Sequence, residues 1–147
     1  MPLPAQFPDG SVYDGHYKNG LREGTGRYTF AGGKGAFYNG EWLGGLKHGV
    51  GTFRYPDKSR FVGEFRAGKR HGQGTYTYPN GDRFCGGWVA DLKHGPGAYV
   101  YAADQTVFTG EWNEGVCTDG EWSFHDQAPF VAQVVKGKVT QYVAEQK

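Results

Sequence analysis

The chain has 147 residues, of which 26 are glycine, 16% are aromatic and one is methionine, with a formal net charge of +1. This is the length of one ordinary domain, and the scarcity of aliphatic runs implies a fold organised around rings rather than a Leu/Ile/Val core. The balanced charge excludes a global field that would draw in nucleic acid or an anionic membrane, and no apolar run approaches the ~18 residues of a spanning helix.

The first residues, MPLP, have neither the charged nor the apolar region of a secretory signal. FPDGSV, Phe7 to Val12, has the form of the later turn YPNGDR, so residues 1–12 are expected to be a partial repeat or cap. From Tyr13 onward an aromatic residue followed two places later by glycine recurs at Tyr38, Phe61, Phe84 and Phe108, every ~23 residues. A second half recurs as GTGRYTF, GVGTFRY, GQGTYTY and GPGAYVY. Both halves have a period of two. In FVGEFRAG, Phe61, Gly63 and Phe65 share one face; in GQGTYTY, Gly72, Gly74, Tyr76 and Tyr78 do. Such alternation predicts half-buried strands. Each unit is then a pair of strands joined through segments such as AGKRHG, and Asn80-Gly81 turns the chain into the next unit.

The pattern explains the glycines. A one-layer sheet has no second layer to cover its rings, and glycines on the same face leave slots where neighbouring rings lie over bare backbone. One hairpin alone is marginal, whereas a row of them supports itself from neighbour to neighbour. The fold class is therefore all-β, with residues 13–128 as the repeat array. Residues 129–147 show no unit and are expected to cap its end, either as a hairpin around Lys136-Gly137-Lys138 or as a short helix. Cys85 and Cys117 form no framework, which suits a reducing, intracellular compartment.

The pattern Y-x-G-x-W-x-x-G-x-x-x-G-x-G-x-Y resembles the MORN repeat (membrane occupation and recognition nexus). YNGEWLGGLKHGVGTF, Tyr38 to Phe53, follows it at nearly every position; Asp91 stands where a glycine is usual, and the copy at Phe108 breaks after Gly115. The resemblance runs from about Phe7 to Phe124 in five copies. It implies a single antiparallel sheet of stacked hairpins, curved into a grooved rod. It also implies settings such as ciliary radial-spoke heads, cytoskeletal assemblies, myosin-tail adaptors and membrane junctions. The KRHGQGTYTYPNGDRF form of the repeat most resembles that of radial-spoke-head proteins, so a cilium, axoneme or cytoskeletal location is expected.

The rings form the leading candidate site. Tyr38, Trp42, Phe53, Phe61, Phe65, Tyr76, Phe84, Trp88, Tyr99, Phe108 and Trp112 are expected to line one face and to dock a helix or extended segment of another structural protein. The competing reading is that they only hold the sheet together. Arg22, Lys47, Lys69, Arg70 and Lys93 recur at the joint between half-units and are expected to form a basic edge. That edge either meets anionic lipid weakly or serves to block sheet-to-sheet pairing. Glu41, Glu64 and Glu111 share one position and are expected to be a solvated column. His48, His71 and His94 recur about 10 Å apart, too far to share one ion. No catalytic constellation, metal site or cofactor is expected, and the open ends of a rod allow homo-oligomers.

Overall fold

The computed structural model describes the backbone of residues 3–123, 130–135 and 138–144, and the side chains of residues 3–121. Among the described residues there are thirteen strands and no helix. After the short β1 (Ala5–Gln6) come β2 (Val12–Lys18), β3 (Leu21–Thr29), β4 (Phe37–Leu43), β5 (Leu46–Arg54), β6 (Arg60–Arg66) and β7 (Lys69–Thr77). They continue as β8 (Arg83–Val89), β9 (Leu92–Val100), β10 (Val107–Asn113), β11 (Val116–Ser123), β12 (Phe130–Val135) and β13 (Lys138–Ala144). All lie in one antiparallel sheet in chain order, with no crossover. β12 and β13 pair antiparallel, with Phe130 opposite Ala144; Lys136 and Gly137, named in the expected hairpin, lie outside the described residues.

Each repeat is a hairpin with a two-residue tip. Both tip residues are left-handed: Asn19-Gly20, Gly44-Gly45, Ala67-Gly68, Ala90-Asp91 and Glu114-Gly115. Two positive φ angles match the tip to the right-handed twist of its strands. Ala67 holds φ +48° where the first unit has Asn19 at +51°, and a β-carbon is strained there by about 1–2 kcal/mol. Asparagine tolerates that region, so Ala67→Asn is expected to stabilise the chain by about 0.5–1 kcal/mol. A rise of a few degrees in the thermal midpoint checks this, and no rise would count against strain at the tip.

The turns between units share a different geometry. Tyr78 N donates to Asp82 O at 2.8 Å and Gly81 N to Tyr78 O at 2.9 Å, while Asn80 Oδ1 accepts from Asp82 N at 3.0 Å. Tyr55–Ser59 repeats this closure, with Asp57 as acceptor. So does Phe7–Ser11, with Asp9 as acceptor, so the FPDGSV segment has the turn its sequence shares with YPNGDR. The turn between the first two units, Phe30 to Ala36, is longer, which accounts for the wider spacing there.

The core is a row of rings set into glycine slots. Gly15 faces Gly26, Gly40 faces Gly51, Gly63 faces Gly74, Gly86 faces Gly97 and Gly110 faces Gly120. Over each pair lies the first ring of its unit, and Tyr13, Tyr38, Phe61 and Phe84 are wholly buried there. A Cβ on Gly51 would stand 2.5 Å from the Tyr38 hydroxyl, and one on Gly97 would stand 2.5 Å from Phe84 Cζ. Glycine is the only residue that leaves this room.

Candidate docking face

The ring face has two levels, set by which strand of each hairpin carries the ring. First-strand rings form the floor. Tyr38, Trp42, Phe61, Phe65, Phe84, Trp88, Phe108 and Trp112 are all buried, joined by edge-to-face contacts such as Tyr38–Trp42 at 5.0 Å and Phe84–Trp112 at 4.9 Å. This corrects the expectation that they line an open groove: Tyr38, Phe61 and Phe84 are covered by Phe65, Trp88 and Trp112 of the following units, and the buried rings serve cohesion. Of the eleven rings named from sequence, only Phe53, Tyr76 and Tyr99 reach solvent in part.

Second-strand rings form the exposed level, and most of them were not among the eleven. Tyr28, Tyr55, Tyr78 and Tyr101 are half-buried, and Phe30 is exposed. The ladder runs without a break from Phe7 to Tyr101. Neighbouring centroids are 6.0 Å apart at Phe7–Tyr28, 4.9 Å at Tyr28–Phe30 and 5.4 Å at Phe30–Phe53. They are 4.4 Å apart at Phe53–Tyr55, 5.8 Å at Tyr55–Tyr76 and 4.8 Å at Tyr76–Tyr78, then 5.4 Å at Tyr78–Tyr99 and 4.8 Å at Tyr99–Tyr101. The hydroxyls of Tyr28 and Tyr76 donate to the buried Ser11 and Ser59, both at 2.8 Å, and that of Tyr99 to Asp82 at 2.7 Å. These bonds fix the ladder to the turns. Asp82 is held below the usual carboxylate range by the amide of Ala102 and by that hydroxyl, while burial pushes the Tyr99 phenol up.

The basic residues do not form an edge. Arg22, Lys47, Arg70 and Lys93 share the parity of the glycine slots and lie on the ring face. The Arg22 guanidinium carbon is 4.5 Å from the Trp42 ring centroid and Arg70 is 4.6 Å from that of Trp88. Lys93 Nζ is 4.5 Å from the Phe84 centroid and Lys47 Nζ is 5.0 Å from that of Phe53. These are cation–π distances. Burial lowers the pKa of Lys47 and Lys93, and Lys93 Nζ donates to the Tyr78 hydroxyl at 2.6 Å. Lys69 alone of the five is exposed. A continuous basic edge is therefore absent.

On the opposite face, each of two glutamates closes a β-bulge rather than standing free in solvent. Pairing slips between Gly40 and Glu41 and again between Gly63 and Phe65. Glu41 Oε2 accepts from Val50 N, and Glu64 Oε2 from Gln73 N, both at 2.5 Å. The carboxylate takes up the amide that the slip exposes. Glu111 is exposed. His48 and His94 are also exposed, His71 is half-buried, and no group of three metal-ligating side chains occurs among the described residues. A shallow trough of about 730 Å³ lies on this face over Gly86, Gly97, Gly110 and Gly120, flanked by Cys85, Glu111 and Asp119. It is a strip of bare backbone and holds no ring. Two concavities on the ring face are smaller and walled by rings: about 260 Å³ at Arg22 and Lys47, and about 240 Å³ at Arg70 and Lys93.

No match is found among curated proteins. The model of the MORN repeat family matches residues 13–35, 38–60, 61–83 and 84–105. The hairpin β10–β11 lies beyond these four matches, although its Phe108 and Trp112 are buried and pack edge to face at 5.8 Å like their counterparts. Since the four matches cover more than half of the chain, it belongs to the MORN repeat family.

Proposed function

We propose that the chain is a non-enzymatic scaffold that docks a helix or extended segment of another protein along its ring face. The observation that supports this is the unbroken ladder of half-exposed rings from Phe7 to Tyr101. A strip of Tyr and Phe this long, left uncovered on a one-layer sheet, has the composition of an interface centre. MORN repeats are in general interaction modules for proteins and membranes, which agrees with a scaffold role. A ciliary assembly of the radial-spoke kind, or a cytoskeletal one, is the setting we propose, on the likeness of the repeat around Lys69 to Phe84. Lipid binding through a basic edge is disfavoured, because the cations are turned onto rings.

The test is affinity capture from ciliated cells with the tagged chain and with a Tyr55→Ser, Tyr78→Ser variant. These rings are half-buried, so the variant is expected to keep its circular dichroism. Removal of two anchors should weaken capture of a specific partner by roughly tenfold or more. A folded variant that captures everything the parent does would exclude the ladder as the docking surface.

A further inference from the structure

Arg22, Lys47, Arg70 and Lys93, each the second residue of its strand, meet different partners, and the contrast sets two of them apart. Each accepts, on its own carbonyl, the amide of the second tip residue of the following unit. These bonds are Gly45 to Arg22 at 3.0 Å, Gly68 to Lys47 at 2.9 Å, Asp91 to Arg70 at 3.0 Å and Gly115 to Lys93 at 2.8 Å. At Arg70 the tip residue carries a carboxylate: Asp91 Oδ1 accepts from Arg70 N at 2.8 Å and from Nε at 3.1 Å, and Arg70 Nη2 donates to Asp91 O at 3.0 Å. At Arg22 the equivalent residue is Gly45, which offers only its carbonyl, to Nη2 at 3.1 Å. Among the described residues neither Arg22 nor Lys47 makes an ion pair, while Arg70 and Asp91 do.

Arg22 and Lys47 line the same cavity of about 260 Å³, walled by Tyr28, Phe30, Trp42 and Leu46 and bounded by Gly45 and Gly68. Both cations are half-buried; the Asp91 carboxylate acts on Lys47 only from beyond ion-pair distance, and desolvated cations so weakly compensated are costly unless an anion arrives. The other ring-face cavity, at Arg70 and Lys93, already contains Asp91. We infer that the Arg22–Lys47 cavity anchors a carboxylate side chain of the docked protein segment, an Asp or Glu flanked by apolar residues. The Arg22 fork takes the carboxylate as Arg70 takes that of Asp91, Lys47 supplies a second charge, and the flanking residues lie on Tyr28, Phe30 and Trp42. This inference rests on the ring face being a docking surface. A carboxylate is favoured over a lipid phosphate because the chain itself carries a carboxylate at the equivalent position, and because the walls are aromatic.

The repeat supplies its own control. Gly45→Asp should install the counter-ion that the Arg70 site has. Asp91 holds φ +71° where Gly45 holds +83°, and a Cβ on Gly45 meets only Leu21 Cδ2, at 3.6 Å, so the variant is expected to fold. The probes are three blocked sixteen-residue peptides that share one Leu- and Trp-bearing amphipathic framework and carry Glu, Gln or Lys at the centre. They are titrated into labelled full-length chain while the Arg22 Nε and Trp42 Nε1 proton signals are followed. The Glu peptide should bind wild type roughly tenfold more tightly than the Lys peptide and shift both signals. In Gly45→Asp that preference should vanish, and Asp91→Gly should add a second Glu-selective site at Arg70. Equal binding of all three peptides on the rings would overturn the carboxylate site and leave the docking face standing. Failure of every peptide to move ring-face signals would overturn both. Binding of phosphatidylserine vesicles, but of no peptide, with loss in Gly45→Asp would overturn the protein occupant in favour of a lipid headgroup.

Discussion

Trp42→Ala is expected to split the unfolding of the chain into two transitions, the first hairpin melting below the rest. Trp42 belongs to β4 in the second unit, yet most of its contacts lie in the first. Its ring meets Tyr13 edge to face at 5.5 Å, lies 6.4 Å from Tyr28 and supports the Arg22 guanidinium at 4.5 Å. Its Nε1 donates to Gly26 O at 3.0 Å, a bond between units. Truncating a buried Trp costs about 3–5 kcal/mol, and here the loss falls on one interface. In an array held by neighbour contacts, such a loss uncouples the units on either side of it. Calorimetry together with hydrogen exchange should show amides of β2 and β3 losing protection first, by a factor of roughly 100 or more for about 3 kcal/mol. One cooperative transition, lowered as a whole, would show that the sheet does not behave as a chain of neighbours. Trp88 makes the same kind of bond to Gly74 O, at 3.3 Å, whereas Phe65 has no N–H to offer, so the joint between the second and third units has the β5–β6 ladder and ring contacts but no such side-chain bond.

Much of this architecture is legible in the sequence, because period-two alternation and a repeat length determine strands, hairpins and faces together. The slots over glycine pairs follow from parity alone, and so does the ring face. Depth does not. Parity puts Tyr38 and Phe53 on one side, but only the packing of successive units decides that Tyr38 is covered and Phe53 is not. The second ring of each strand, Tyr55 or Tyr78, stands in the same alternation and was open to the same reasoning; it escapes when one ring per strand is taken as representative. The basic residues mislead for a local reason. The segment Leu46 to Gly49 resembles a loop, and charges in a loop are expected at an edge. In fact β5 begins at Leu46, directly after a two-residue tip, and the alternation of Phe53, Gly51 and Gly49 continues to Lys47. The glutamates mislead because a β-bulge is a property of pairing, which no single strand reveals. Asp91 departs from the family pattern, and its role becomes clear only once Arg70 is seen beside it.

Gly51→Ala should be among the most damaging single substitutions, although it adds one methyl group. Gly51 is buried, and the new Cβ would stand 2.5 Å from the Tyr38 hydroxyl and 2.6 Å from both Cε2 and Cζ of that ring. The ring has nowhere to move. It is wholly buried and sits at 5.0 Å edge-to-face distances between Trp42 and Phe65, with its hydroxyl donating to Glu41 O at 2.8 Å. Expelling it breaks contacts to Trp42 in its own unit and to Phe65 in the next, and leaves the phenol without its acceptor. The expected loss is about 3 kcal/mol or more, at the upper end for overpacking and compounded by an orphaned hydroxyl. Gly44→Ala is the control, since nothing lies within 4 Å of its Cβ and only the left-handed φ of +57° resists the change. It should cost about 1–2 kcal/mol. Chemical denaturation of both variants separates a ring slot from a turn requirement. Adding Tyr38→Leu removes the ring that collides with the new methyl, so the Gly51→Ala, Tyr38→Leu pair should be less damaging than the sum of its parts. Strict additivity would mean that the glycine serves the backbone and not the ring.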